Sequence, residues 1–183
     1  MKRKIWILII TLITLIFIVL FNYQKISYYY FNFQEYWKSR NAIVWNGEKK
    51  LTWNDFNFDS KIKPRKFYAD VKIGTRYNID NPVLFRSKTL FFPSKSFVSD
   101  TTNNLILRAA QAKWNLLEIH RRIMVNKLDS LKANKTELTI EIMENLNKRC
   151  YSDFERDWNN YIGKSNPKRS LEALENRITQ ELK

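Results

Sequence analysis

The chain has 183 residues, which leaves room for a membrane anchor and one modest domain but not for two domains. Its only cysteine is Cys150, which excludes an intrachain disulfide and a cysteine-based zinc site. The net charge is +14, from 32 basic and 18 acidic residues. The basic excess is spread along the chain, whereas a nucleic-acid reader concentrates it on one face, so we expect no nucleic-acid partner.

The N-terminus has the pattern of a membrane anchor. Three basic residues, Lys2 to Lys4, precede the apolar run of residues 5–21. As a helix, this run would span roughly 25 Å, which is enough for a slightly thin bilayer. We predict a transmembrane signal anchor over residues 1–22, with the membrane contacted through residues 5–21.

A cleaved signal peptide is the alternative, but the residues after Leu20 contain no small-residue cleavage pattern. Three basic residues precede the apolar run, and only Lys25 closely follows it. Because the flank with more basic residues faces the cytoplasm, we expect the N-terminus to lie there. The remainder then lies in the periplasm or another extracytoplasmic space. This predicts a single-pass membrane protein.

Beyond the anchor, residues 23–40 show no clear periodicity and are interpreted as a stalk. A β-rich region follows over residues 42–98. We predict a hairpin with its turn at Asn46-Gly47 and one strand in each flanking segment, Ala42 to Trp45 and Lys50 to Trp53. Apolar and polar residues alternate from Phe67 to Ile73, which predicts a half-buried strand.

The rest of this region contains a chain break at Asn81-Pro82 and a further strand from Val83 to Phe92. The C-terminal half has helical spacing. It predicts one helix from a cap at residues 100–102 to about Leu131 and a second from about Lys135 to Ile162, ended by Gly163. A last helix starts at Asn166-Pro167. Strands followed by helices indicate a single α+β domain over residues 41–183.

Three segments resemble a bacterial family described as predicted secreted zinc-dependent proteases, which are zincin-like. Residues 51–56 (LTWNDF) are similar to its opening motif, residues 92–98 (FPSKSFV) to a strand end, and residues 107–119 (LRAAQAKWNLLEI) to its His-Glu-x-x-His helix. The resemblance implies a degenerate zincin-like α+β fold, with the small β-rich region followed by two to three long helices.

The third segment bears on function. In the family's motif two histidines hold Zn²⁺ and the glutamate activates the metal-bound water. Here Ala109 and Lys113 stand at the histidine positions and Ala110 at the glutamate position. A methyl group has no lone pair, and a protonated ammonium repels a metal. The resemblance therefore implies an inactive site without metal or cofactor.

The family's C-terminal motif is also altered. Residues 151–158 are similar to its Tyr-Asp-x-x-Thr-x-His-Gly stretch, with Asp157 in place of the histidine. The alteration of both motifs favours a domain that keeps the family's fold without its catalytic residues.

Neither His120 nor Glu118 restores a metal site. His120, the only histidine, lies seven residues past Lys113, about 10.5 Å along a helix and far beyond a coordination sphere of about 2 Å. Glu118 points about 140° away from Lys113, and we expect it to pair with Arg121 or Arg122. We predict that Glu118 and His120 belong to a retained surface, with His120 a surface or interface residue.

These patterns predict a membrane-anchored, catalytically inactive relative of zinc metallopeptidases that binds a protein partner in the cell envelope, as a scaffold or accessory subunit. The alternative is a basic envelope module that contacts anionic lipid or a cell-wall polymer. Its candidate contacts are Lys61, Lys63, Arg65 and Lys66. An active hydrolase with a rearranged site is the least favoured hypothesis.

Overall fold

In the computed structural model, which describes residues 2–59, 67–79, 83–162 and 166–183, the N-terminal helix α1 runs from Lys2 to Ser39. The segment interpreted as a stalk is therefore helical up to Ser39. No glycine or proline interrupts residues 24–39, so nothing in this sequence stops the helix. Within α1, Lys4–Tyr23 is long and apolar enough to cross a membrane, a property that a signal sequence shares.

The chain divides into two units, Met1–Arg40 and Asn41–Lys183. Among the described residues, the second unit contains two three-stranded sheets. In the first, antiparallel sheet, β5 lies between β1 and β4. In the second, β6 pairs in parallel with β2 and antiparallel with β3. The strands are β1 (Ile43–Val44), β2 (Asn57–Phe58), β3 (Phe67–Tyr68), β4 (Val71–Asn78), β5 (Leu84–Phe91) and β6 (Phe97–Val98).

The predicted hairpin around Asn46-Gly47 was wrong. The turn itself is present: Gly47 has a φ of 85°, and Asn46 Oδ1 accepts hydrogen bonds from the backbone N–H groups of Glu48 and Lys49. The chain after the turn does not return to β1, which pairs with β5 instead. The backbone N–H of Leu51 donates to Gln111 Oε1 at 2.8 Å, so a side chain takes the place of a partner strand.

The predicted strand over residues 67–73 is divided into β3 and β4. The interruption lies at Asp70, whose backbone N–H donates to Ser96 Oγ at 3.0 Å and whose carbonyl accepts from Phe92 N–H at 2.9 Å. The chain thereby passes from one sheet to the other. The strand predicted from Val83 to Phe92 is confirmed as β5, whereas the predicted break at Asn81-Pro82 lies outside the described residues.

Three helices follow the strands, as predicted: α2 (Asn104–Ala133), α3 (Ile140–Ile162) and α4 (Pro167–Glu181). The cap of α2 is Asn103, whose side chain accepts from Leu105 N–H, rather than a residue in 100–102. Asn166 caps α4 with Pro167 in its first turn, as expected. The predicted stop at Gly163 lies outside the described residues.

The core surrounds α2, which packs against β4, β5, α3 and α4. Every member of the main hydrophobic cluster lies between Ile43 and Leu182, so the unit Asn41–Lys183 has a core of its own. Because neighbours cover α2 on several sides, residues 116–120 are all buried, including Glu118 and His120. The α+β class is confirmed, while the zincin-like assignment stays a prediction.

Candidate functional site

A cleft of about 980 Å³ lies beside α2, near the upper end of the range for ligand sites. Its walls come from residues 67–72 around the β3–β4 turn, residues 103–113 at the start of α2, residues 151–162 of α3 and the first turns of α4. Ala109 and Lys113 both line it. Positions i and i+4 share a helix face, so the two positions that the resemblance assigns to metal ligands lie together in this cleft wall.

Lys113 is half-buried in that wall. Its Nζ donates a hydrogen bond to the carbonyl oxygen of Ala69 at 3.1 Å. The same nitrogen lies 5.6 Å from the ring centroid of Tyr68 and 5.7 Å from that of Trp158, within cation–π distance of both. The wall therefore presents an ammonium group flanked by aromatic rings.

Other polar groups in the wall carry both signs of charge. Asp70 is buried and lies 3.4 Å from Lys72 Nζ, while Glu155 is exposed on α3. Aliphatic side chains line much of the remainder, together with the aromatic side chains of Phe67, Tyr68, Tyr151, Phe154, Trp158 and Tyr161.

The part of this cleft that the structure describes contains no histidine and no cysteine, and its ionisable side chains are carboxylates, lysines and tyrosines. Burial raises the pKa of Tyr151, despite the hydrogen bond from the backbone of Ile73, so this phenol stays protonated at neutral pH. Within the described ranges, no three His, Cys, Asp or Glu side chains are placed to hold a metal ion.

Ala110 does not line the cleft. It has no exposed surface and belongs to the hydrophobic core. A side chain at this position packs against the domain interior, so it contributes nothing to the cleft surface.

Glu118 is buried in a separate polar cluster, and the expectation that it forms part of a surface was wrong. Its carboxylate accepts hydrogen bonds from Arg121 at 2.7 Å, Thr89 at 2.8 Å and Arg122 at 3.0 Å, which confirms the predicted pairing. Burial alone would raise the pKa of Glu118, but the hydrogen bonds and the charge of Arg121 outweigh it and lower the pKa. Glu118 is therefore ionised, and its carboxylate links α2 to β5 by accepting a hydrogen bond from Thr89.

His120 is also buried, with 6% of its surface exposed, and is not the surface residue that the sequence suggested. Its Nε2 lies 3.2 Å from Asp157 Oδ2, an ion-pair distance without the alignment of a hydrogen bond. Burial lowers the pKa of His120 below 6.5 against the opposing effect of Asp157, so the ring is neutral at neutral pH. Asp157 in turn accepts a hydrogen bond from Arg177 at 2.9 Å.

The two positions from the second altered motif lie on different sides of α3. Asp157 is outside the cleft and links α2, α3 and α4 through His120 and Arg177. Trp158, the next residue, lines the cleft. Sequence reasoning missed Tyr68 and Trp158 as site residues. The alternation around Tyr68 and the helical spacing around Trp158 were recognised, but nothing local in the sequence indicates that β3 and α3 line the same cleft.

The basic residues Lys61, Lys63, Arg65 and Lys66 lie outside the described residues. Cys150 is buried, and burial raises the pKa of its thiol to about 12.

No protein-family model, curated protein or solved structure matches this chain. The resemblance to zinc-dependent proteases therefore stays a prediction from three sequence segments.

Proposed function

We propose that this protein is a membrane-anchored binding protein that holds an extended peptide segment of a partner in its cleft without cleaving it. The observation that carries the proposal is the shared position of Ala109 and Lys113 in the cleft wall. Where the resembling family would place two metal ligands, this cleft has a methyl group and an ammonium group.

The composition of the wall favours a peptide ligand. Among the described strands, β3 is an edge strand of its sheet, and both of its residues line the cleft. Extended peptides commonly bind beside such an edge, through main-chain hydrogen bonds and side-chain pockets. Aromatic rings supply apolar contact area, while Lys113 and Glu155 offer opposite charges to a mixed sequence.

The proposed absence of catalysis is supported by the chemistry of the described wall. Lys113 already donates to Ala69, and Tyr151 keeps its proton. A hydrolase needs a positioned base, a nucleophile or a metal-activated water. The described part of the cleft wall has no histidine and no cysteine to supply such a group.

Membrane anchorage is part of the proposal. The apolar run in α1 supports it, and the bias of basic residues toward the N-terminus favours a cytoplasmic start and an extracytoplasmic domain. The partner would then be a protein of the cell envelope.

The test uses fragment 41–183, which has a core of its own, as bait for a displayed library of random dodecapeptides. Peptides enriched on the fragment should bind the variant Lys113→Met at least roughly tenfold more weakly, a loss of about 1.4 kcal/mol. The control is Lys127→Met, which removes an exposed lysine from the same helix, away from the cleft.

Equal binding to both variants, or no enriched peptide, would overturn the assignment of the cleft. Stoichiometric zinc in the purified protein, or peptide cleavage abolished by a chelator, would overturn the non-catalytic part. Circular dichroism of each variant verifies that it is folded.

A second candidate function is contact with anionic lipid or a cell-wall polymer, favoured by the net charge of +14. Fragment 41–183 should then bind vesicles that contain an anionic lipid, and binding should fall steeply as salt is raised. Salt-independent binding, or none, would contradict this function.

A further inference from the structure

A line of apolar side chains runs along the whole of α1. Its members alternate in steps of four and three residues, the heptad spacing of coiled coils. Each is between 41% and 62% exposed. We call this line the seam, and it consists of Ile5, Ile9, Leu12, Ile16, Val19, Tyr23, Ile26, Tyr30, Phe33 and Trp37.

Nearly every residue of the apolar segment is apolar, so a heptad spacing there carries no information. The informative part is residues 24–39, where polar and apolar residues are interspersed. Here the seam continues through Ile26, Tyr30, Phe33 and Trp37. With Tyr29 and Tyr36 these form one strip about 120° wide at 100° per residue. The charged residues of the same segment, Lys25, Glu35 and Lys38, fall outside the strip.

An interfacial aromatic belt does not account for the strip. Headgroup regions add only about 5–7 Å on each side of the hydrocarbon core. Trp37 lies 14 residues beyond Tyr23 at the end of the apolar segment, which is about 21 Å along a continuous helix. The aromatic strip therefore extends past the membrane surface.

The exposed area of the strip is close to what a stable dimer needs. Aromatic side chains bury about 150–250 Å² each, and those of the strip are roughly half exposed, so six residues offer on the order of 600 Å². Patches of this size mark interaction sites on soluble surfaces. Two copies together would bury about 1,200 Å² beyond the membrane, the lower end for specific interfaces.

We propose that α1 is a self-association helix, whose seam packs against the seam of a second copy in a parallel pair. A period of 3.5 residues keeps one line of side chains facing a partner helix along its whole length. Two copies inserted in the same direction are parallel and in register, so each seam residue meets its counterpart. The seam contains no charged residue, and Arg40 at its C-terminal end stacks on Trp37 with its guanidinium carbon 3.8 Å from the ring centroid.

This inference is independent of the cleft and depends on α1 remaining in the mature chain. Intact mass of the membrane-extracted protein should therefore include residues 1–40. Removal of α1 in the cell would overturn the proposal, while leaving peptide binding by fragment 41–183 unaffected.

The main experiment is cysteine cross-linking of the full-length chain in membranes. The wild-type protein is the blank, because Cys150 is buried. Seam variants Ile26→Cys, Tyr30→Cys and Phe33→Cys are compared with their immediate neighbours, Ser27→Cys, Phe31→Cys and Gln34→Cys. On a helical projection these neighbours lie about 70–130° from the mean direction of the seam residues between 26 and 37.

After mild oxidation, the three seam variants should give a band at twice the chain mass of 22.1 kDa, and the three neighbours should stay monomeric. Cross-linking of both sets to the same extent, cross-linking of the seam to a different protein, or no seam cross-link would each overturn the proposal.

Energy transfer between labelled copies in liposomes gives a second measurement without cysteines in the seam. The double variant Tyr30→Glu/Phe33→Glu places like charges opposite each other and should reduce transfer to the level of random encounters. The matched control Ser27→Glu/Gln34→Glu adds the same charge off the seam and should retain transfer. Equal transfer in the two variants would contradict the seam.

Discussion

The ammonium nitrogen of Lys113 donates a hydrogen bond to the carbonyl oxygen of Ala69 at 3.1 Å and so joins the cleft side of α2 to the turn between β3 and β4. The side chain that stands at a metal-ligand position in the resembling family thus has a contact of its own. Ala109 lies one helical turn before Lys113, has a small side chain, and lines the same wall. This pair of positions allows a direct test of the cleft geometry.

Restoring both imidazoles should create a weak metal site. In fragment 41–183, Ala109→His/Lys113→His should bind zinc at least roughly tenfold more tightly than Lys113→His alone, because two nitrogen donors at i and i+4 reach one ion. Calorimetric titration with zinc measures both affinities. Equal affinities would mean that the two positions do not share a face of the cleft.

Removing the charge of Glu118 should destabilise the domain strongly. Glu118→Gln leaves the guanidinium groups of Arg121 and Arg122 without a carboxylate, and we expect a loss of about 2–3 kcal/mol, below the full buried-pair value because both arginines are partly exposed. Urea unfolding of fragment 41–183 measures the loss. The exposed Glu144→Gln is the control and should change the stability by less than about 0.5 kcal/mol.

Stability should fall as the pH drops below about 6.5, because burial lowers the pKa of His120 in the folded state. In this range the unfolded chain binds a proton that the folded chain excludes, so acid favours unfolding. His120 is the only histidine, and the lowered pKa of Glu118 acts in a separate range below 4.5. Urea unfolding should show a lower free energy of unfolding at pH 5.5 than at pH 7.5 for the wild type. The difference should be smaller for His120→Gln.

A rise in wild-type stability over the same interval would mean that the charge of Asp157 outweighs burial. The same result would show that the ring is protonated in the folded domain at pH 5.5.

Ser96→Ala should cost about 2 kcal/mol of unfolding free energy, because it leaves the buried backbone N–H of Asp70 without its acceptor. Ser96 also donates to Phe92 O, and it has no exposed surface. Urea unfolding of fragment 41–183 checks the loss against Ser94→Ala, an exposed serine two residues earlier. Similar losses in the two variants would contradict a special role for Ser96.

Residues of all three segments of the resemblance take part in structural hydrogen bonds. Gln111, from the third segment, accepts the backbone N–H of Leu51, from the first, and Ser96, from the second, fixes the passage of the chain at Asp70. Thr52 and Asp55 close a short turn through hydrogen bonds at 2.7 and 3.0 Å. These contacts give residues of the segments a structural role in this fold.

Periodicity predicted the long helices and β5 because those elements are governed by local sequence. It failed for α1 beyond residue 22, where the aromatic residues obscured the helical period. It also failed around Asn46, where the turn was recognised but the partner of the following segment was a side chain far along the chain.

For the candidate site, the positions of Ala109 and Lys113 on one face followed from helix geometry, but their burial and the opposite wall did not. Glu118 and His120 look like surface residues on a single amphipathic helix. They are interior because sheet and helices cover α2 from several sides, which only the tertiary packing determines.

The lone thiol of Cys150, with its pKa raised to about 12, remains almost wholly unionised at neutral pH. A chain with a single, interior cysteine has no native disulfide to form and offers no accessible sulfur for a mixed one once folded. Refolding yield should then be indifferent to the redox buffer. Maturation of this domain in an oxidising compartment would proceed without help from disulfide-exchange enzymes.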